Sequence, residues 1–439
     1  MTTTATAPPA ARNYPLLLGS QFLAALGDNV LLALIIGQLT RLWQSGAVST
    51  ADNRVWNAAF TMLPFIPGVL LAVLAGFLND RFPKSRWLLG GNLIRLAGTL
   101  VAMIGLGPGH SVEARLWWQG AGYLIVGIGM CLYGPAKYGI LPEILPHERL
   151  VKANGTVELL TILAILAGPV LGAVLVDRVP LGAGYGVLLG VFGVSALLNA
   201  GMSRTPCDPA LRLRASFGAF GANFGDLLRS PRLRRVLLGC GLFWICGATL
   251  KVNFQPWGLN VLHLQNNTQI SLLGLWLGLG IIAGSVLAGQ WHRVGELHWT
   301  RRYGWLLAGT VALLATVGGG SFWLRGSLVV PAGLPMVGGA TIHLPVALLL
   351  VLIGALAGLF LIPLNAALQH ESHPERLGKT IAAQNLVDYF GMILASGYVG
   401  LAVKLGLSEA AVFAGLALML AGVVTLALRF PPAQPVPAP

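Results

Sequence analysis

Long apolar stretches separated by short polar clusters fill the chain from its first helix to residue 428. Twelve of them can be drawn, at 15–40, 57–78, 87–106, 116–140, 154–176, 182–201, 235–262, 271–291, 303–324, 343–368, 380–403 and 407–428. Each approaches or exceeds about 20 residues, the length at which a helix rising roughly 1.5 Å per residue crosses about 30 Å of hydrocarbon. The pattern predicts an all-α polytopic membrane protein with 12 transmembrane helices. The longest polar interruption, 202–234, carries six arginines and scattered prolines, and it divides the spans six and six. The expected organisation is an N-terminal six-helix half (1–201), a cytoplasmic linker (202–234) and a C-terminal six-helix half (235–430). The tail at 431–439, PPAQPVPAP, is too rich in proline for a helix and is expected to be disordered.

Two short internal repeats support that division. Val73-Leu74-Ala75-Gly76 closes span 2 and Val286-Leu287-Ala288-Gly289 closes span 8, each followed by a basic residue within a few positions. Pro135-Ala136-Lys137 leads to Glu148-Arg149-Leu150-x-Lys152 after span 4, and Pro363-Leu364-Asn365 leads to Glu375-Arg376-Leu377-x-Lys379 after span 10. Matching motifs at matching places imply two parallel six-helix halves, the arrangement of the major facilitator transporters. The loop Gly76-x-x-x-Asp80-Arg81-x-x-Lys84-x-Arg86 resembles that superfamily's signature between helices 2 and 3. Its expected content is a glycine allowing close helix contact and an aspartate able to pair with nearby cations.

Composition agrees with the pattern. Apolar residues make up 55% of the chain and charged ones only 10%, against roughly 25% in soluble domains. Mean hydropathy is +0.75. The formal charge of +13 invites a nucleic-acid reading, which its distribution excludes. Of the 28 Lys and Arg, nineteen fall on one side of the predicted spans, six on the other and three inside them. That asymmetry is the positive-inside rule, and it predicts both termini in the cytoplasm. The four cysteines show neither metal spacing nor a disulfide framework. No cleavable signal peptide is expected.

Ionisable groups inside spans cost several kcal/mol unless paired or hydrated, and they mark function by default. Asp28, followed by Asn29, lies about 13 residues into span 1, near mid-depth. Lys251 lies about 16 residues into span 7, the repeat-related helix, with Asn253 and Gln255 continuing a polar segment. The two are expected to face each other at similar depth. Lys137 follows Pro135 in span 4; Glu158 enters span 5 and Asp388 span 11. With Asn154, Asn365, Gln369, Gln384 and Asn385 they are expected to line the inner-leaflet half of a cavity. Each charged position has a structural alternative: a carboxylate paired to a neighbouring helix, or a lysine snorkelling to the interface. Arg95 is expected to brace the 76–86 loop. No metal spacing, phosphate loop, Ser/His/Asp set or acyltransferase-like His-x4-Asp is present, so no enzyme, metal or cofactor is expected.

Several stretches together resemble the bacterial lysophospholipid transporter family: QFLAALGDNVLL (21–32), YGPAKYGILPEILPHERLVKANGTVE (133–158), LFWICGATLK (242–251), LFLIPLNAALQ (359–369) and AAQNL (382–386). They fall in both halves. The resemblance implies carriage of lysophosphatidylethanolamine and related lysolipids from the outer to the inner leaflet of the bacterial cytoplasmic membrane. There a separate acyltransferase/acyl-ACP synthetase would re-acylate them, since no such domain follows span 12. It also implies that the polar substrate residues fall on Asp28, Lys137 and Lys251. Lys251 departs from the family pattern, which has arginine; a lysine offers a compact charge where arginine binds phosphate through two parallel bonds. Two other readings stay open on the residues alone. One is a proton-coupled drug exporter using Asp28. The other is a scaffold that docks an acyltransferase through the basic 202–234 segment.

Overall fold

A computed structural model describes residues 9–146, 149–293, 296–318, 323, 326–329, 341–372 and 377–430. The described chain is α-helical apart from a two-stranded antiparallel ribbon, β1 (Ser327–Val329) and β2 (Thr341–His343), with Leu328 opposite Ile342. The first helices are α1 (Pro9–Gln44), α2 (Thr50–Met62), α3 (Phe65–Arg81), α4 (Lys84–Ile104), α5 (Val112–Gly139), α6 (Leu141–Ile144), α7 (Leu150–Arg178) and α8 (Leu181–Ala200). There follow α9 (Leu213–Arg229), α10 (Pro231–Asn260), α11 (Asn267–Trp291), α12 (Thr300–Leu314), α13 (Leu344–His370), α14 (Leu377–Lys404) and α15 (Glu409–Leu426).

Among the described residues, ten helical segments are long and apolar enough to cross a membrane, counting α2 and α3 as one. Helices α5 and α12 occupy the remaining two of the twelve predicted spans. The polar edges are set by side-chain caps. Ser111, Ser230, Asn266 and Ser408 accept the free N–H groups of Ala114, Leu233, Gln269 and Ala411 at the starts of α5, α10, α11 and α15.

One prediction is corrected here. Span 2 is not one helix: it breaks between Met62 and Phe65, where Pro64 has no N–H to continue the ladder. The 202–234 segment contains the 17-residue helix α9. The 431–439 tail and the Glu148 and Glu375-Arg376 portions of the repeat lie outside the described residues.

The helices form two compact units, Met1–Leu42 with Leu63–Gly218 and Trp43–Met62 with Ala219–Pro439. In each unit glycines bring helices into close contact. In the first, Gly91 and Gly98 of α4 meet Gly129 and Gly122 of α5; a methyl group at Gly98 would sit 2.6 Å from the carbonyl oxygen of Gly122. In the second, Gly280 and Gly284 of α11 meet α13 at Gly354 and Gly358, where any side chain would overlap backbone. Without a hydrophobic driving force between helices in lipid, such contact relies on dispersion at close range.

Helix α2 packs in the second unit against α10 and α14 although its sequence neighbours α1 and α3 belong to the first. Asn53 and Gln255 exchange two amide hydrogen bonds of 3.3 and 3.2 Å, and Asn57 donates to the carbonyl of Val252 at 2.7 Å. Arg54, a loop residue in the sequence reading, is buried in α2. It donates to the carbonyl of Leu407 at 2.9 Å and lies 3.7 Å from the Glu409 carboxylate.

Candidate functional site

In the first unit the mid-helix charge of α1 has a partner that the sequence reading assigned elsewhere. Asp28, 5% exposed, receives two parallel bonds from Arg95 of α4, Nε to Oδ1 at 2.8 Å and Nη2 to Oδ2 at 2.9 Å. Arg95 is therefore not a brace for the 76–86 loop. Its guanidinium also lies 4.8 Å from the centre of the Tyr133 ring and donates to Asn92 Oδ1 at 3.4 Å. From there a buried polar chain runs through four helices. Asn92 donates to Ser195 and Asn199 of α8, both at 2.7 Å; Asn199 donates to Ser20 of α1 at 2.8 Å, and Ser20 meets the Tyr133 hydroxyl at 3.1 Å. Burying so many polar groups is tolerable because each satisfies another.

Lys137 of α5 sits beside this network and is partly exposed. Its Nζ donates to the Thr161 hydroxyl at 3.3 Å and lies over the Tyr138 ring at 4.6 Å. Thr161 in turn donates to Gln21 at 3.1 Å, joining α5, α7 and α1. Asn29 bonds back to the carbonyl of Ala25 at 2.9 Å on the α1 face that Gly168 of α7 approaches. The side chain of Glu158 lies outside the described residues.

The loop signature departs from its expected content at Gly76. Gly76 has open space where a side chain would go, so it is not a point of close helix contact. Lys84 at the start of α4 pairs with Glu143 of α6 at 2.5 Å, and Gly139 leaves room for its stem. Arg81 donates to the carbonyl of Leu211 at 3.1 Å, the Asp80 carbonyl accepts from Asp208 N–H at 3.0 Å, and the Arg86 side chain is exposed. The stretch around Glu143 thus ties the 76–86 loop down. Nothing in the sequence pattern singles out Glu143 for that role.

In the second unit, Lys251 is exposed although the helix around it is largely buried, and no ion pair to it occurs among the described residues. Asn253 and Gln255 do not extend its polar surface. Both are buried; Asn253 donates to the carbonyl of Glu409 at 3.0 Å, and Gln255 holds Asn53. A second polar group joins α10, α13 and α14. Gln384 donates to Asn365 Oδ1 at 2.8 Å, and the Cys240 thiol approaches the same oxygen at 3.4 Å. One turn on from Gln384, Asp388 is 5% exposed and its Oδ1 has no hydrogen-bond partner among the described residues. Asn385 is exposed. The structure thus brings together Asp28 with Arg95, Lys137 with Thr161 and Gln21, and Asn365 with Gln384. No group of three or more His, Cys, Asp or Glu side chains suited to a metal occurs among the described residues.

Apolar helices of membrane-crossing length, broken at a proline and carrying a few buried charges, define a polytopic membrane protein. The Major Facilitator Superfamily profile matches residues 17–396, and the chain belongs to that superfamily. Its fold is shared by solved structures of low sequence identity. A POT family transporter crystallised with 5-aminolevulinic acid superposes with a TM-score of 0.70 at 14% identity over 96% of both chains. The human organic anion transporter MFSD10 does so with 0.64 at 17%, over 95% of this chain and all of that one. Among curated relatives, the lysophospholipid transporter LplT of Pectobacterium carotovorum is 31% identical, over 91% of this chain and 89% of its own. That of Yersinia pestis strain Pestoides F is 34% identical, over 92% and 90%.

Proposed function

We propose that this chain is a lysophospholipid transporter that moves lysophosphatidylethanolamine and related lysolipids from the outer to the inner leaflet of the bacterial cytoplasmic membrane. The observation that carries this is the 31–34% identity, over about nine-tenths of the chain, to relatives named for that activity. The chain acts as a carrier, not an enzyme; a separate acyltransferase consumes its product. Both termini are cytoplasmic, as the distribution of Lys and Arg favours.

The chemistry of the substrate fits the residues. Its head carries a phosphate and an ammonium group, and taking both through hydrocarbon unaided costs many kcal/mol. Lys137 and Lys251 are assigned to the phosphate. Asp388, with one oxygen unengaged, is assigned to the ammonium together with Glu158, and Asp28 joins them when Arg95 releases it. Asn29, Asn365, Gln384 and Asn385 replace lost water. The segment from Gly76 to Arg86, through Asp80, Arg81 and Lys84, is assigned to conformational control.

Leaflet-resolved flux of labelled lysophosphatidylethanolamine in proteoliposomes tests the function. Protein-dependent flux that falls at least ten-fold in Lys137→Ala and Lys251→Ala is expected. Absence of flux with the intact chain, with or without an imposed proton gradient, overturns the reading.

A further inference from the structure

Leucine and phenylalanine exposed on a membrane-spanning helix are covered by lipid tails. Helix α9 is not such a helix. It is 17 residues long, and none of the candidate spans includes it. Yet it carries a continuous apolar stripe at Leu213, Phe217, Phe220, Phe224 and Leu227–Leu228, the alternating four-and-three spacing of one helical face. The inner flank of that stripe is seated: Phe220, Phe224 and Leu227 pack into the core of the second unit, and buried Asn223 donates to Thr380 at 3.4 Å. The outer flank is bare. Leu213, Phe217 and Leu228 are 40%, 50% and 40% exposed.

Two further observations say what covers it. Helix α9 ends at Arg229 and the membrane-spanning α10 begins at Pro231, so α9 is tied within one residue to a helix entering the bilayer. The segment is also strongly basic, with seven arginines against two aspartates between residues 204 and 235. One arginine, Arg232, is used up in a buried pair with Glu371 at 2.8 Å. Arg204, Arg212, Arg214, Arg229 and Arg234 are exposed, with Arg229 lying 3.4 Å from Asp226. An apolar stripe bordered by arginines beside the start of a span is the composition of a helix lying in the headgroup region.

We propose that α9 is a peripheral membrane-binding helix, inserting Leu213, Phe217 and Leu228 at the acyl boundary while its arginines bind anionic phospholipid headgroups. The inference goes beyond transport and requires only that the chain is embedded in a bilayer.

The full-length protein carrying Phe217→Cys in a Cys207→Ser background, labelled with a polarity-sensitive fluorophore, tests it in two bilayers. One contains phosphatidylglycerol and the other only phosphatidylcholine. The expected result is blue-shifted emission, quenched by spin-labelled acyl chains, in the phosphatidylglycerol bilayer and reversed by high salt. Each of Arg212→Gln, Arg214→Gln and Arg229→Gln is expected to lower the inserted-to-exposed ratio about five-fold at fixed salt. Phe217→Ser, at unchanged thermal midpoint in detergent, is expected to leave a probe at Leu213→Cys in water. A water-exposed probe in both bilayers overturns the proposal, as does shielding indifferent to lipid charge. Shielding seen in native membranes but not in the reconstituted protein assigns the face to a protein partner and equally overturns it.

Discussion

Each unit buries an aspartate at the same 5% exposure, and the two are treated in opposite ways. Asp28 is gripped by a guanidinium through two parallel bonds, backed by an aromatic ring and a four-helix polar chain. Asp388 is approached by the Trp244 and Gln384 side chains, but its Oδ1 has no partner among the described residues. A buried charge that is doubly bonded is close to satisfied, and breaking it is expensive; one that is under-bonded raises the free energy until a donor or cation reaches it. The first arrangement suits holding helices together in a carrier that changes shape. The second suits meeting a visiting ammonium group. Burial alone does not tell them apart; partners do.

The contrast is broken most severely at Arg95. Arg95→Met strands the Asp28 carboxylate and is expected to cost about 3–5 kcal/mol, read as loss of the folded species on detergent extraction and heating. An unchanged thermal midpoint would mean that Asp28 is not held as described. The double change Asp28→Asn with Arg95→Gln removes both charges and is expected to recover most of that loss. Lysolipid flux by the recovered protein then tells whether Asp28 serves transport as well as structure. Flux at the native level would remove Asp28 from the headgroup residues.

Asp388→Asn is expected to leave stability within about 0.5 kcal/mol of the native protein or raise it, because no ion pair is lost. The same change is expected to cut lysophosphatidylethanolamine flux several-fold; a loss of stability as large as that of Arg95→Met would make the two aspartates equivalent. The smallest effect belongs to Gln384→Ala, which removes the bond to Asn365 and is expected to cost about 1 kcal/mol in a chemical unfolding series.

Hydropathy and a handful of ionisable residues carried a large part of this molecule. The spans were readable because about 20 apolar residues have no other low-energy use, and Asp28 and Lys251 stood out because charge is rare among them. Asp28's partner was harder to read. Arg95 is 67 positions away, on a helix whose rotation about its axis no local pattern gives. The clue was present: an arginine inside an apolar run requires an internal anion, and the first half of the chain has few. Pro64 likewise signalled the break in span 2, and the spacing of Leu213, Phe217, Phe220 and Phe224 signalled α9 within a stretch dominated by arginine.

Composition and periodicity by themselves determined that this chain is a multi-span helical membrane protein and which of its residues are costly to bury. Those properties follow from transfer free energies, which depend on residue type and length along the chain. Only the tertiary structure decided that Arg95 holds Asp28, that Glu143 holds Lys84, that α2 sits with the second unit and that Asp388 is buried beside Gln384. Pairing is a matter of distance and direction between remote helices. Electrostatic and hydrogen-bond energies change by several kcal/mol over an ångström or two, a scale on which sequence order carries no information.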